Sequence, residues 1–249
     1  MSVAGEAPIL EARQLSRRFH GLQAINTLSF ALRRGEILGL IGPNGAGKTT
    51  LINLISGTLF ADTGELAFDG ARIDRLSPQQ RAHLGIGRTF QVMKPFPRLS
   101  VIENVTVGAL FGFGGGERRL SAARERARDV LDFTGLLHRS GQYADQLGGP
   151  DRKRLELAKA LALRPRLLLL DEVMAGLNHS EIDEVVAIIK KIRDTGVAIL
   201  VIEHVMKAIR SLSDRIIVLH HGEKIAEGEP NAVLTNPRVI DAYLGKRRA

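Results

Sequence analysis

The sequence predicts an α/β fold with a mostly parallel sheet, an antiparallel β part and a helical lobe near residues 95–162. Three observations support this prediction. A glycine-rich loop joins Glu36–Ile41, an apolar run typical of a buried strand, to Thr50–Ser56, which is apolar at helical spacing. Two further runs, Leu167–Leu170 and Val197–Ile202, are typical of strands buried on both faces. The stretch from Ser100 to about Leu163, which precedes both of these runs, has a mostly helical pattern and is interrupted by glycine-containing segments.

The glycine-rich loop matches the phosphate-loop pattern G-x-x-x-x-G-K-[ST] and so predicts a P-loop NTPase-type sheet. Glycines at these places let the backbone curl so that its N–H groups face phosphate oxygens, and the next helix adds its positive dipole end. Lys48 places a cation against the outer phosphates, and the hydroxyl of Thr49 can ligate Mg²⁺. The strand and helix around the loop argue against a chance match. The nucleotide-binding residues predicted here are Gly42, Pro43, Asn44, Gly45, Ala46, Gly47, Lys48, Thr49 and Thr50.

Two carboxylates follow the four leucines of the second buried run. In an open α/β sheet, ligands bind where the parallel strands end, so Asp171 and Glu172 are expected at the same edge as the phosphate loop. Asp171 is predicted to hold the metal, and Glu172 to orient or deprotonate an attacking water. The alternative is a strand that happens to end in acidic residues. The phosphate loop in the same chain favours the catalytic interpretation.

Three other residues have a possible role only in combination with the loop. Phe19 precedes a glycine turn and is suited to stack on an adenine base. Gln91 ends a predicted strand and is placed to reach Mg²⁺ and the attacking water. His204 follows the strand Val197–Ile202 and is suited to hydrogen-bond a γ-phosphate. Taken singly, each of these residues is more often structural.

Local patterns predict several further elements. A turn near His20–Gly21 is expected to join two antiparallel strands, and a second hairpin is expected to turn at His221–Gly222. Glu181–Arg193 is apolar on one helical face, and Asn178 with Glu181 three residues later predicts a capping box. Other predicted elements are a strand over Glu65–Asp69, a short helix beginning at Ser77-Pro78, a strand over 85–91, and helices between Ser100 and Leu163 interrupted at Gly112–Gly116 and Tyr143–Pro150.

Composition excludes some classes of function. The 249 residues contain no cysteine, which excludes disulfides and thiol catalysis. The net charge of +8 suits an anionic partner, such as a nucleotide, nucleic acid or a lipid surface. Aromatic residues are only 4%, which argues against a platform that stacks single-stranded bases. The N-terminus lacks the pattern of a secretory signal, and no apolar run reaches the ~20 residues of a membrane span.

Taken together, these motifs resemble the ATP-binding subunit of an ABC transporter over essentially the whole chain. The resemblance is carried by the order Phe19, Gly42–Thr49, Gln91, a helical insert, Asp171-Glu172, Ala175–Asn178 and His204. It implies one ABC ATPase domain over residues 1–249 that binds ATP and Mg²⁺.

The resemblance also implies a role for each matched residue. Phe19 stacks on adenine, Glu172 is the catalytic base and His204 senses the γ-phosphate. Gln91 links the γ-phosphate to a membrane partner, and it ligates the metal together with Thr49 and Asp171. Two positions depart from the usual pattern: Asn178 stands where Asp is common, and Val173 follows the catalytic Glu in place of Pro.

A narrower resemblance is to the ATPases of branched-chain amino acid importers, with amide and urea importers also similar. It rests on Gly87–Val105, Ile202–His204 and Asn236–Gly245. It implies two transmembrane permease subunits as partners and, indirectly, a periplasmic solute-binding protein. It implies no nucleic acid. The subunit would be peripheral, on the cytoplasmic face of the inner membrane.

The signature loop of the family departs from its usual Leu-Ser-Gly-Gly-Gln. Here Leu147 is followed by Gly148, Gly149, Pro150 and Asp151. Gly148 has no hydroxyl, Pro150 has no N–H and Asp151 adds a negative charge near a triphosphate. Pro150 and Asp151 instead suit the first turn of a helix. We therefore expect a heterodimer with a second ATPase subunit whose signature is intact.

The residues leave two alternative functions open. An ABC-type ATPase acting on nucleic acid would suit the basic charge, but the long coiled coil of repair ATPases has no place in this sequence. A regulatory subunit that binds ATP without hydrolysing it would suit the altered signature loop. Intact Glu172 and His204 oppose that second alternative.

Overall fold

The structure is a computed structural model and describes residues 7–89 and 95–244. These residues form ten strands, nine α-helices and three short 3-10 turns. In chain order the elements are β1 (Leu10–Phe19), β2 (Leu22–Leu32), β3 (Ile37–Ile41), α1 (Lys48–Ser56), β4 (Thr63–Phe68), β5 (Ala71–Arg72), α2 (Pro78–Leu84), β6 (Ile86–Arg88), α3 (Val101–Leu110), α4 (Leu120–Phe133), α5 (Gly149–Ala162), β7 (Leu167–Asp171), α6 (His179–Asp194), β8 (Ala198–Ile202), α7 (Met206–Leu212), β9 (Arg215–His220), β10 (Glu223–Gly228), α8 (Pro230–Leu234) and α9 (Pro237–Leu244).

The chain divides into two compact units. The first comprises Met1–Pro78 with Ala198–Ala249, and the second comprises Gln79–Val197. The first unit contains a four-stranded antiparallel sheet in the order β2-β1-β4-β5. It also contains a run of strands in the order β10-β9-β3-β8, in which β9, β3 and β8 are parallel and β10 is antiparallel.

In this unit β3 and β8 are buried along their whole length, because parallel strands are covered on both faces. Their register places Leu40 opposite Ile202. The phosphate loop after β3 and the Glu203-His204 pair after β8 therefore leave the same edge of the sheet, as the sequence predicts.

Both predicted hairpins are present, and they use the same turn chemistry. His20-Gly21 joins β1 to β2, and His221-Gly222 joins β9 to β10. All four residues have positive φ, between 42° and 94°. This is the backbone of a type I′ turn, whose twist matches that of the flanking strands.

The second unit combines helices with the parallel pair β6–β7. The stretch predicted to be helical contains α3, α4 and α5, and the interruption predicted at Gly112–Gly116 lies between α3 and α4. The interruption predicted at Tyr143–Pro150 overlaps the break between α4 and α5, but that break begins after Phe133 and ends at Gly148. Helix α3 begins with a capping box between Ser100 and Glu103. Helix α6 begins with the predicted capping box between Asn178 and Glu181. Each box satisfies two backbone N–H groups that a helix start would otherwise leave without partners.

The α/β fold class with parallel and antiparallel sheets is confirmed. Three short helices, α7, α8 and α9, were not predicted, because five to eight residues carry too little periodicity. Within the described residues, no helix combines the length and hydropathy that a membrane crossing requires.

The two His-Gly turns differ in their surroundings, which yields a matched pair of variants. A Cβ on Gly222 would lie 2.8 Å from the carbonyl oxygen of Ala24, whereas a Cβ on Gly21 would meet nothing within 4 Å. We expect Gly21→Ala to lower the free energy of unfolding by about 1–2 kcal/mol, because an alanine at positive φ is strained. Gly222→Ala should lower it by ~1–3 kcal/mol more than Gly21→Ala does, because the neighbouring backbone must also move. Urea unfolding of both variants checks this, and equal losses would contradict it.

Candidate functional site

The phosphate loop is built as the sequence predicts, between a buried strand and the start of a helix. It follows β3, and Lys48, Thr49 and Thr50 open α1. The glycines at positions 42, 45 and 47 have φ values of 151°, 78° and 105°. Residues that carry a side chain rarely adopt such φ values, so glycine at these positions lets the backbone curl around a central space.

Two of these glycines are also required by close packing. A Cβ on Gly42 would lie 2.1 Å from the carbonyl oxygen of Leu219, and one on Gly47 would lie 2.4 Å from that of Ala24. The turn after β9 is bonded to the same loop, since the N–H of Gly222 donates to the carbonyl of Ala46 at 3.0 Å. The backbone of β2 and β9 therefore holds the loop in its curled form.

The start of α1 fits an anion. Gly47 caps this helix without a side-chain hydrogen bond, and the first turn contains no acidic residue. The N–H groups of a first helical turn have no partner within the helix, and the dipole there is positive. This arrangement suits a phosphate group.

Lys48 lies across the loop rather than pointing into solvent. Its side chain is buried, and Nζ donates to the carbonyl oxygens of Gly42 at 2.7 Å and Pro43 at 3.0 Å. Two carbonyl bonds fix the position of the ammonium group, so a strong point charge faces any phosphate that enters the loop.

The first unit also contains Phe19 and His204. Phe19 is the last residue of β1, and the guanidinium of Arg17 lies 4.9 Å from its ring centroid. Arg17 is itself held by Asp62, whose Oδ1 lies 2.7 Å from Nη1. One face of the ring is therefore covered by a cation. His204 is exposed and follows Glu203, which is buried.

In the second unit, Asp171 ends β7 and is only 2% exposed. Its Oδ2 accepts a hydrogen bond from Nη2 of Arg88 at 3.1 Å. Its backbone N–H donates to the hydroxyl of Thr89 at 3.2 Å, and the N–H of Thr89 donates to the carbonyl of Leu169 at 2.9 Å. Burial lowers the pKa of the Arg88 guanidinium, and the charge of Asp171 opposes that shift.

Glu172 has the left-handed backbone conformation, with φ of 53°. This conformation is uncommon for a residue with a long side chain, and strained residues of this kind are frequent at functional sites. Nζ of Lys153 donates to the Glu172 carbonyl at 3.2 Å, which helps to hold the turn.

Two of the predicted metal ligands carry oxygen donors of the kind that Mg²⁺ prefers. Thr49, in the first unit, has a hydroxyl, and Asp171, in the second unit, has a carboxylate. Over residues 7–89 and 95–244, no group of three or more His, Cys, Asp or Glu side chains could form a metal cage. Proteins usually bind Mg²⁺ through only a few side chains, and the phosphates of the substrate supply further ligands. Gln91, the third predicted ligand, lies outside the described residues.

The altered signature loop forms the start of α5. Gly148 caps the helix without a side-chain hydrogen bond, and Pro150 and Asp151 lie in the first turn, as the sequence predicts. The carboxylate of Asp151 lies 3.7 Å from Nε of Arg139. A Cβ on Gly148 would meet nothing within 4 Å, so this position has room for a side chain.

Sequence reasoning missed two features of this site. One is the ion pair between Arg88 and Asp171, which depends on the register of β6 against β7. The other is the contact of Ala24 and Gly222 with the phosphate loop. A glycine after His221 signalled a turn but not what the turn touches. Neither feature has a local sequence pattern.

Comparison with known proteins gives consistent matches. Residues 25–175 match the family described as ABC transporter, and residues 223–249 match the family described as branched-chain amino acid ATP-binding cassette transporter. The high-affinity branched-chain amino acid transport ATP-binding protein LivG of Salmonella typhimurium is 39% identical, over 96% of this chain and 98% of that protein. The corresponding protein BraF of Pseudomonas aeruginosa is 37% identical, with the same coverage.

Solved structures agree with the sequence matches. An ATP-binding cassette of an ABC transporter in its ADP conformation has a TM-score of 0.87 and 30% identity, and the match covers 97% of this chain and 100% of that one. A nucleotide-free cassette from an ABC transporter also has a TM-score of 0.87 and 30% identity. The family match spans more than half of this chain and the relatives match nearly all of it, so the chain belongs to the ATP-binding cassette family of ABC transporter ATPases.

Proposed function

We propose that this chain is the ATP-hydrolysing subunit that energises import of branched-chain amino acids, or of related amides or urea, through two membrane permease subunits. The main support for ATP hydrolysis is the phosphate loop, in which Lys48 donates hydrogen bonds to the carbonyl oxygens of Gly42 and Pro43. The substrate class rests on the relatives LivG and BraF and on the match of residues 223–249. The subunit would work as a peripheral protein on the cytoplasmic face of the inner membrane, and a periplasmic binding protein would deliver the solute.

Each residue of the site has its own part in the reaction. The N–H groups of the loop and the ammonium of Lys48 bind the phosphates. Phe19 stacks on the adenine. Bound Mg²⁺ would neutralise the charge that develops on the phosphates, and Thr49, Asp171 and Gln91 would hold it. Glu172 orients the attacking water and accepts its proton, and His204 donates to the γ-phosphate.

We further propose that this chain pairs with a different ATPase subunit. In an ABC dimer, the signature loop of one subunit completes the ATP site of the other. Gly148 has no hydroxyl, Pro150 has no N–H, and Asp151 would repel phosphate although Arg139 partly offsets its charge. A homodimer would carry two weakened sites. A heterodimer would keep one full site, formed by this chain's Lys48 and Glu172 with the partner's signature loop.

Two other functions are less well supported. Repair-type ATPases acting on nucleic acid carry a long coiled coil between the phosphate loop and the signature. Among the described residues between Lys48 and Gly148 the longest helix is α4, with 14 residues. A purely regulatory subunit would not need a catalytic carboxylate, and Glu172 is present on a strained turn after β7.

Replacing Lys48 tests nucleotide binding. We expect Lys48→Met to weaken the affinity for ADP more than about tenfold, because a hydrogen bond to a charged group contributes ~1.5–3 kcal/mol. Fluorescence titration with a labelled nucleotide measures the dissociation constant. Lys191→Met, on the exposed face of α6, is the matched control and should bind as the wild type does. Equal affinities for the two variants would refute the phosphate-binding role.

Replacing Glu172 separates hydrolysis from binding. Glu172→Gln keeps the size of the side chain and should leave ATP affinity unchanged, while single-turnover hydrolysis falls by about 10²–10⁴-fold. Glu184→Gln removes an exposed carboxylate that pairs with Arg154 and serves as the control. A Glu172→Gln rate equal to that of the wild type would favour the regulatory subunit.

Restoring the signature loop tests the heterodimer. The missing donors are supplied by a triple variant, Gly148→Ser with Pro150→Gly and Asp151→Gln. The serine side chain has room at position 148, where a Cβ would meet nothing within 4 Å. We expect the triple variant alone to hydrolyse ATP about tenfold or more faster than the wild type alone, since each lost donor to phosphate costs ~1.5–3 kcal/mol. Brisk hydrolysis by the wild type alone, without a partner subunit, would count against the proposal.

A further inference from the structure

The ion pair between Arg88 and Asp171 has no assigned role in the proposed mechanism. Its two residues come from neighbouring parallel strands of the second unit, where Arg88 of β6 lies opposite Leu169 of β7. Nη2 of Arg88 reaches Oδ2 of Asp171 at 3.1 Å. The Arg88 side chain is 12% exposed and that of Asp171 is 2% exposed. The pair is therefore largely withdrawn from water.

Burial makes the pair strong and fixes its geometry. A carboxylate taken from water is costly unless a cation or several donors accompany it, and the attraction between two charges grows as the surroundings exclude water. The backbone on both sides is also fixed, because Thr89 bonds to both Leu169 and Asp171. Arg88 therefore has little freedom to turn away from the carboxylate.

We propose that Arg88 is a positioning residue that holds the Asp171 carboxylate and competes with the divalent cation for it. This inference rests on the proposed function, in which Asp171 helps to hold Mg²⁺. A Mg²⁺ ion takes oxygen ligands at about 2.0–2.1 Å in a near-ideal octahedron. The guanidinium already engages one oxygen of the same carboxylate, and two cations that share one carboxylate repel each other.

This competition has a functional consequence. Without the Arg88 guanidinium beside it, the Asp171 carboxylate would bind a divalent cation more tightly and release it more slowly. With Arg88 beside it, the Asp171 carboxylate is held in place, and its affinity for the metal is reduced. Arg88 therefore favours release of Mg²⁺ with the products after hydrolysis.

Arg88→Met tests the inference because it removes the charge and keeps an unbranched apolar side chain. Manganese(II) is the probe, and electron paramagnetic resonance measures free Mn²⁺ in the presence of saturating ADP at a pH of about 8, where carboxylates are ionised. We expect the variant to bind Mn²⁺ about tenfold more tightly than the wild type, the factor that one charged hydrogen bond typically provides. Without divalent cation, its thermal unfolding midpoint should be lower than that of the wild type.

Arg72→Met is the matched control. Arg72 pairs with Glu65 and Asp74, but its side chain is 63% exposed and it lies in the first unit. This variant should leave Mn²⁺ affinity unchanged. The double variant Arg88→Met with Asp171→Asn should bind Mn²⁺ no more tightly than the wild type, since the carboxylate responsible for the tighter binding in Arg88→Met has been removed.

The opposite signs of the two readouts distinguish competition from a purely structural role. A structural role lowers both the unfolding midpoint and the Mn²⁺ affinity, and that result would overturn the inference, as would unchanged affinity. If Arg88→Met does not fold, Arg88→Lys serves instead, because the shorter point charge should bind Asp171 less firmly and so let Mn²⁺ bind more tightly than in the wild type. A wild type that binds ADP and Mn²⁺, with no tightening in either variant, overturns this inference alone. A wild type that binds neither overturns the proposed function as well.

Discussion

The first unit depends on backbone atoms that pack closely against the phosphate loop. A Cβ on Gly42 would lie 2.1 Å from the carbonyl oxygen of Leu219, and a Cβ on Gly47 would lie 2.4 Å from that of Ala24, so both positions exclude a side chain. A loop held this closely cannot relax into another conformation without moving β2 or β9. Its N–H groups are thus oriented before a phosphate arrives, which avoids a reorganisation cost on binding.

The acidic residues are controlled by a different kind of force. Asp171 is placed by the end of a fully buried strand and balanced by a cation from the adjacent strand. Glu172 is placed by a left-handed turn whose carbonyl is bonded to Lys153. Charge balance in poorly hydrated surroundings therefore governs Asp171, the proposed metal ligand, and backbone conformation governs Glu172, the proposed catalytic base.

The signature segment shows how helix stability and nucleotide contact can conflict. Pro150 has a backbone angle suited to a first helical turn, and Asp151 interacts favourably with the positive end of the α5 dipole. The same two residues are poor partners for a triphosphate, because one has no N–H and the other is negative. The sequence thus favours a well-formed α5 over strong binding of a phosphate by this loop, and this preference is one reason for the heterodimer proposed above.

Local patterns in the sequence were sufficient for most strands and longer helices, for both His-Gly hairpins, for the α6 capping box and for the phosphate loop itself. These features depend on neighbours within a few residues, where glycine positions, capping side chains and hydrophobic periodicity act directly. The three helices after β8 were missed, because helices of five to eight residues lack a clear period.

Only the tertiary structure could decide which distant groups meet. Arg88 and Asp171 are 83 positions apart in the chain, and the register of β6 against β7 brings them together. The contact of Ala24 with Gly47 and Gly222 follows from how β2 lies beside the loop and the last hairpin. Register and sheet order arise from the burial of many side chains at once, so no single segment encodes them.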